Sequence, residues 1–297
     1  MILYHKADLD GYFSGALVKS IYKDETLYGI DYNETIDDSV LDAEGIIYLV
    51  DFSLPVHQMQ KYAGKMVWID HHRTAIEDSK KYGYDDILGV RDENYAACEL
   101  VYAYLYKQSS VFPLEEPAII KYVGNWDIHR RTGYDEWHDT EVVQLGLKYK
   151  YFDLCNGIEP LVRDLNLLLV WSKDDIKNGL IYSEGNLLWW HQQAQNKSLV
   201  KSAFEVQVDD KSALAIVGPI GSAVFDSIKN RDQLWVVFNS ISPKGVKMSV
   251  YKDPEVFVDF NCGDYLKEHY GGGGHPSAAG AFIDFDTFTD IIKSKTV

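Results

Sequence analysis

Three short apolar runs each end on acidic residues, and this arrangement constrains the fold more than any other feature of the chain. Met1 to His5 leads into Asp8-Leu9-Asp10-Gly11, Gly45 to Asp51 reads GIIYLVD, and Lys65 to His72 reads KMVWIDHH. A nearly continuous apolar run of this length is what a strand buried on both faces requires. Between the runs, Phe13, Ala16, Leu17 and Ile21 recur at helical spacing within Tyr12 to Tyr22, and LPVHQMQKYAG reads as a helix stopped by Gly64. Strand, helix, strand, helix predicts an α/β domain with a parallel sheet covered by helices on both faces. Ligands of open parallel sheets bind outside the carboxyl ends of the strands. Asp8, Asp10, Asp51, Asp70, His71 and His72 are therefore expected around one crevice.

The middle of the chain carries helix-compatible patterns over Ala96 to Tyr106, Glu115 to Val123, Glu159 to Val170 and Asp174 to Ser202. The last contains two glycines and admits a break. Gly133 to Asp139 reads as a polar, aromatic-rich loop. After Ser202 the segments FEVQV, ALAIV, LWVVFNS and VKMSVY read as strands, with helices near Ala223 to Lys229 and Cys262 to His269. The expected organisation is a catalytic domain over residues 1–190, a helical linker over 191–204 and a smaller α/β domain over 205–297.

Composition removes several classes. The N-terminus reaches charge within six residues, so no signal peptide is expected, and stretches such as Leu165 to Trp171 are too short to span a bilayer. Cys98, Cys155 and Cys262 are widely spaced and form no CxxC, which argues against a disulfide framework or a cysteine zinc site. A cytoplasmic protein without a membrane partner is expected. A net charge of -16 disfavours a long duplex partner, whose phosphates ask for a basic face. Any phosphate site must be local.

Carboxylates crowded at strand ends repel one another unless protonated or bridged by cations. Oxygen ligands with one or two imidazoles suit manganese, magnesium or iron. Asp127, after Trp126, is placed to close the same site. Each piece has a plainer reading: Asp-x-Asp-Gly as a turn or helix cap, Asp51 as a cap of the next helix, paired histidines as surface residues. The shared placement at strand ends favours the site. The second marked feature is Tyr270 to Gly280, YGGGGHPSAAG. Its glycines permit close backbone approach to a ligand, and Ser277-Ala278-Ala279 is expected to open a helix whose N-terminus favours an anion. The plainer alternative is a flexible loop. No Gly-Lys-Ser/Thr follows, so it is not a P-loop.

These motifs together resemble the DHH phosphoesterase family. Asp70-His71-His72 stands as its namesake, Asp8-Leu9-Asp10-Gly11 as its first motif, Val50-Asp51-Phe52 as its second and Asn125-Trp126-Asp127 as its fourth. GGGGHPSAAG resembles the DHH-associated C-terminal domain of RecJ-type exonucleases and nanoRNases. The resemblance implies two divalent ions, manganese first with magnesium or iron also fitting, held by Asp8, Asp10, His71 and Asp127 and bridged by Asp51. His5 is implied as a further ligand, although it stands three residues before Asp8 where many relatives have four. His72 is implied beside the scissile phosphate. Gly272, Gly273, Gly274 and His275 are implied as substrate contacts across an interdomain cleft. Arg73, Arg130 and Arg131 are candidate phosphate contacts by charge and position alone.

The compact arrangement looks most like the nanoRNase branch, implying release of 5′-mononucleotides from short single-stranded oligonucleotides by a monomer or homodimer. A phosphatase of 3′-phosphoadenosine 5′-phosphate or a cyclic-nucleotide phosphodiesterase on the same site is the alternative. A catalytically silent nucleotide-binding module is the alternative of another class.

Overall fold

Ile2, Tyr4, Tyr48, Val50, Val67 and Ile69 are buried in one apolar cluster, while Leu3, Ile47, Leu49, Met66 and Trp68 are buried in another. Successive side chains of a strand point to opposite faces, so this alternation is a sheet covered on both sides. The computed structural model describes the chain except residues 33, 44, 106–114, 132, 153–156, 209–210, 222–223, 226–231, 254–255 and 295–297. The chain divides into two compact units, Met1–Trp189 and Trp190–Val297.

The first unit begins with β1 (Ile2–His5), α1 (Leu9–Ile21), β2 (Leu27–Ile30), α2 (Asp38–Ala43), β3 (Ile47–Val50), α3 (Val56–Tyr62), β4 (Met66–Ile69) and α4 (Arg73–Tyr82). The four strands are all parallel in the order β2-β1-β3-β4. The chain leaves β1 in one direction to β2 and resumes on the other side with β3, so the switch point lies between β1 and β3. Register levels the strand ends. Tyr4 pairs with Val50 and Val50 with Ile69, which brings His5, Asp51 and Asp70 to the same height. Helices α5 (Ala97–Leu105), α6 (Ala118–Asp127), α7 (Tyr134–Tyr151), α8 (Glu159–Val170) and α9 (Lys173–Asn178) follow, and α10 (Leu180–Leu199) runs across the division between the units.

Local expectations change in places. Leu27–Ile30 forms a strand that the sequence reading does not contain. The stretch expected as a loop, Gly133 to Asp139, opens α7 instead, with Gly133 preceding an acidic first turn of Asp135 and Glu136. Acidic side chains there complement the helix dipole. The segment Asp174 to Ser202 is split at Gly179, which is extended between α9 and α10. The helix expected near Ala223 to Lys229 falls largely outside the described residues.

The second unit contains β5 (Phe204–Val208), β6 (Lys211–Val217), β7 (Leu234–Ser242), β8 (Gly245–Tyr251), α11 (Cys262–Tyr270), β9 (Gly273–His275), β10 (Ala278–Ile283) and α12 (Phe285–Lys293). Its six strands run β5-β6-β7-β8-β10-β9, with only β6 and β7 parallel. Ser277 to Ala279 therefore enters a strand rather than opening a helix. His275 pairs with Ala278 across the two-residue turn Pro276-Ser277, and the ladder continues through Ala279–Gly274 and Gly280–Gly273. Glycine is required at 274: its φ is +144°, and a Cβ there would stand 2.7 Å from Ala278 O.

Candidate metal centre

The segment after β1 turns sharply into α1, and this turn explains why an aspartate and a glycine flank it. Asp8 caps α1, its Oδ1 accepting from Gly11 N at 3.0 Å. The plain capping reading is thus correct for one oxygen. The other, Oδ2, faces His5 Nδ1 at 3.2 Å. Gly11 packs so closely under the end of β1 that a Cβ would sit 1.9 Å from His5 O.

Asp10 is buried, and its two oxygens accept from Ala97 N and Cys98 N, each at 2.7 Å. A carboxylate from α1 thereby caps the first turn of α5. Its Oδ2 also lies 3.7 Å from His71 Nε2.

Asp51 follows β3 with φ of 54°, a left-handed conformation uncommon for a residue with a Cβ. It is 1% exposed, and neither oxygen has a hydrogen-bond partner among the described residues. Its Oδ2 stands 3.4 Å from His5 Nδ1, while Oδ1 stands 3.3 Å from His71 Nε2. His71 Nε2 is in turn 3.3 Å from Asp127 Oδ2, at the end of α6. Three sets of ligand atoms gather here: His5, Asp8 and Asp51; Asp10, His71 and Asp127; and Asp51, His71 and His72. The two ring nitrogens of His5 are likewise buried without a hydrogen bond. Buried polar atoms normally find partners. Carboxylate and imidazole atoms that converge on one another unbonded are the donor set a hard or borderline divalent cation needs.

Asp70 belongs to the motif but not to these sets. Fully buried, its Oδ1 accepts from His71 N (2.8 Å) and His72 N (3.1 Å) and meets His72 Nδ1 at 2.7 Å, while Oδ2 accepts from Trp68 Nε1 at 3.2 Å. It fixes the two histidines rather than facing the cluster. His72 Nδ1 also lies 3.9 Å from Asp51 Oδ1.

The electrostatics follow from burial and crowding. Burial, strengthened by Asp10 and Asp8, raises the Asp51 carboxyl well above its ordinary range, and burial with Asp10 does the same to Asp127. Burial alone would depress the His5 imidazolium, but Asp51 and Asp8 override it and push it up to about 11. Asp10 and Asp127 likewise overcome burial to raise His71. Burial would raise Asp8, but the facing His5 charge, the Gly11 amide and His72 together lower it.

The arginines singled out by sequence are engaged elsewhere. Arg130 forms a paired contact with buried Glu99 at 2.7 and 3.0 Å, Arg73 is exposed against Glu77, and Arg131 lies over the Trp137 ring. Two site neighbours escaped the sequence reading. Asp31, just beyond β2, stands 3.5 Å from His5 Nε2; recognising β2 would have revealed it as a fourth strand-end carboxylate. Tyr32 packs its ring on His5, Phe52 and His72. Gly272, Gly273, Gly274 and His275 lie in the second unit, on and beside the β9–β10 hairpin.

Residues 1–123 match the family model for the N-terminal domain of the DHH family. That stretch is similar to a DHH-family N-terminal domain. Proteins of this family are metal-dependent phosphoesterases. No curated protein sequence gives a significant match. Among solved structures, the chain is similar to the DHH domain of a protein described as belonging to a family of ribosomal proteins (TM-score 0.59, 16% identity, 99% of this chain and 84% of that one). It is also similar to the pGpG-specific phosphodiesterase PggH from Vibrio cholerae (TM-score 0.54, 16% identity, 98% and 96%). RecJ from Thermus thermophilus in complex with Mn2+ gives a TM-score of 0.53 at 13% identity, over 99% of this chain and 50% of RecJ. At these identities the likeness concerns the DHH fold, which the parallel four-stranded sheet and the second mixed sheet share. No helix among the described residues is long and apolar enough to cross a membrane.

Proposed function

We propose that the chain hydrolyses phosphodiester bonds of short single-stranded oligonucleotides, releasing 5′-mononucleotides, with two divalent ions held in the first unit. The observation that carries this reading is the division of labour within Asp51: one oxygen faces His5 and Asp8, the other faces His71 and through it Asp127 and Asp10. His5, Asp8 and Asp51 would hold one ion, and Asp10, His71 and Asp127 the other, with Asp51 shared; manganese suits this donor set, as do magnesium and iron. When bound, such a pair supplies a water nucleophile at neutral pH and charge stabilisation for an in-line displacement.

The remaining work falls to the chain's own residues. Asp70 holds His72 by Nδ1, leaving Nε2 to face a substrate phosphoryl oxygen as a contact or proton donor. Tyr32 and Phe52 stand beside His5 and His72 and line, with Ile30 and Leu54, a cavity of about 240 Å³. Rings so placed support stacking of a terminal base without sequence choice. The glycine hairpin of Gly272, Gly273, Gly274 and His275 is proposed to contribute further phosphate and nucleotide contacts.

Similarity to a pGpG-specific phosphodiesterase over nearly the whole length of both chains supports a linear dinucleotide as the first substrate to try. The decisive measurement is a product-resolved assay with Mn2+ on di- to pentanucleotides, 3′-phosphoadenosine 5′-phosphate and cyclic dinucleotides. Release of nucleoside 5′-monophosphate from the short oligomers is expected. Inorganic phosphate as the sole product would favour the phosphomonoesterase alternative. No product under any divalent ion would leave a nucleotide-binding module.

A further inference from the structure

A centre this rich in carboxylates has to attract a phosphate anion, yet the arginines around it are spent on other tasks. Arg130 is bound to Glu99 and Asn125, and Arg91 donates to the carbonyls of Trp68, Ile87 and Asp85. Lys148 differs from all of them. It lies on α7, is half-buried, and has no ion pair or hydrogen bond from its ammonium to any described residue. Its Nζ sits 5.9 Å from the ring centroid of Trp126, the residue before Asp127. That ring is stacked on Trp137 at 5.7 Å and 10°. The charges acting on Lys148 are those of Asp8 and Asp127, one from each set of ligands.

Lys148 is only half withdrawn from water, yet among the described residues no carboxylate stands at ion-pair distance from its ammonium. Burial does hold the Lys148 ammonium below the usual lysine range. A purely structural lysine would have taken a carboxylate, as Lys173 does with Glu136 at 3.0 Å. Lys148 instead forms no ion pair with Asp8 or Asp127, although the charges of both act on it.

We propose that Lys148, steadied on the Trp126 ring, binds a phosphoryl oxygen of the substrate at the Asp127 side of the metal centre. The inference rests on the phosphodiester reading above. The phosphate concerned is either the scissile one or a 5′-phosphate beside it, and both present the same chemistry. The ring supplies a cation–π contact that keeps the flexible stem in place.

The test uses the full chain loaded with Mn2+, with Lys148→Met and Lys148→Arg compared by thermal melting and by Mn2+ titration. Binding of inorganic phosphate, read by calorimetry, should weaken about 10- to 100-fold in Lys148→Met, the weight of one charge-assisted hydrogen bond. Lys148→Arg should keep it within about threefold. The turnover arms use a dinucleotide with and without a 5′-phosphate: equal loss on both assigns Lys148 to the scissile phosphate, and loss confined to the phosphorylated one assigns it to the neighbour. Unchanged phosphate affinity in a folded, Mn2+-loaded Lys148→Met protein would overturn the proposal. So would tighter Mn2+ binding as the only change, which would make Lys148 a counter-ion of the carboxylates. Should the chain turn over no oligonucleotide, the phosphate-binding arm still decides the role of Lys148 independently.

Discussion

Replacing Asp51 by asparagine separates a metal-bridging role from a structural one, because only the first leaves the chelated fold near its parent stability while removing the metal-dependent gain. Both Asp51 oxygens are buried without a hydrogen-bond donor among the described residues. A buried polar group left unsatisfied costs roughly 1–3 kcal/mol. After chelation, the neutral amide relieves the cost of the buried charge but forfeits its pairing with His5 and His71, so the two effects oppose each other. At about 2–4 °C per kcal/mol for a unit of this size, the chelated variant should melt within a few degrees of the chelated parent. With Mn2+ at one hundred times its dissociation constant, each occupied site adds about 2.7 kcal/mol to the parent, or roughly 5–10 °C. Asp51→Asn should forfeit most of that shift and essentially all turnover. Differential scanning fluorimetry in EDTA and in Mn2+ reads both numbers. A chelated variant melting well below its parent, or an undiminished Mn2+ shift, would refute the reasoning.

Three further outcomes follow from the same geometry. His5 is raised above its ordinary value to about 11, so its contribution to stability is fully present below pH 6.5 and lost as pH climbs toward 11; Mn2+ affinity must rise over the same interval, because the ligand has to shed its proton. Calorimetry in buffers of different ionisation enthalpy should record about one or more protons released per Mn2+ near pH 7, and pH-independent binding would contradict this. Asp70→Asn places an amide against the donors of His71, His72 and Trp68, and kcat should fall about 10- to 100-fold with a lesser effect on Mn2+ affinity. Arg130→Met strands a buried Glu99 charge and should destabilise the fold by about 3–5 kcal/mol, while kcat per folded molecule stays near the parent value.

The strands that carry the site were legible because each is buried on both faces and therefore apolar without interruption, and because each ends on a residue too polar to continue it. β2 was not, since Leu27–Ile30 is a short edge strand with only Ile30 fully buried. Missing it hid Asp31 and Tyr32. α7 was hidden for a different reason. Its buried residues, among them Trp137, Asp139, Val142, Gln144 and Leu147, occur on several sides, so no single apolar stripe marks it. Lys148 went with it: nothing in LGLKYKY distinguishes a half-buried lysine from a solvated one. The glycine motif is conspicuous in the sequence, but four glycines and a proline conceal strand pairing, because side-chain alternation is absent where side chains are. Asp10 was recognised as a candidate ligand, while its grip on α5 depends on a partner 87 residues away that no local pattern reports.

That grip gives the chain an uneven tolerance for losing its chemistry. Asp8 and Asp10 each anchor a helix through backbone amides, so the fold demands them whether or not an ion is ever bound. Asp51 and Asp127 carry no such duty, and their charge strains the resting protein. In a descendant freed from catalysis, decay would begin at Asp51 and Asp127 and leave the Asp-x-Asp-Gly sequence standing as a relic. An intact first motif is therefore poor testimony to activity; the aspartate in the left-handed corner after β3 is the better witness.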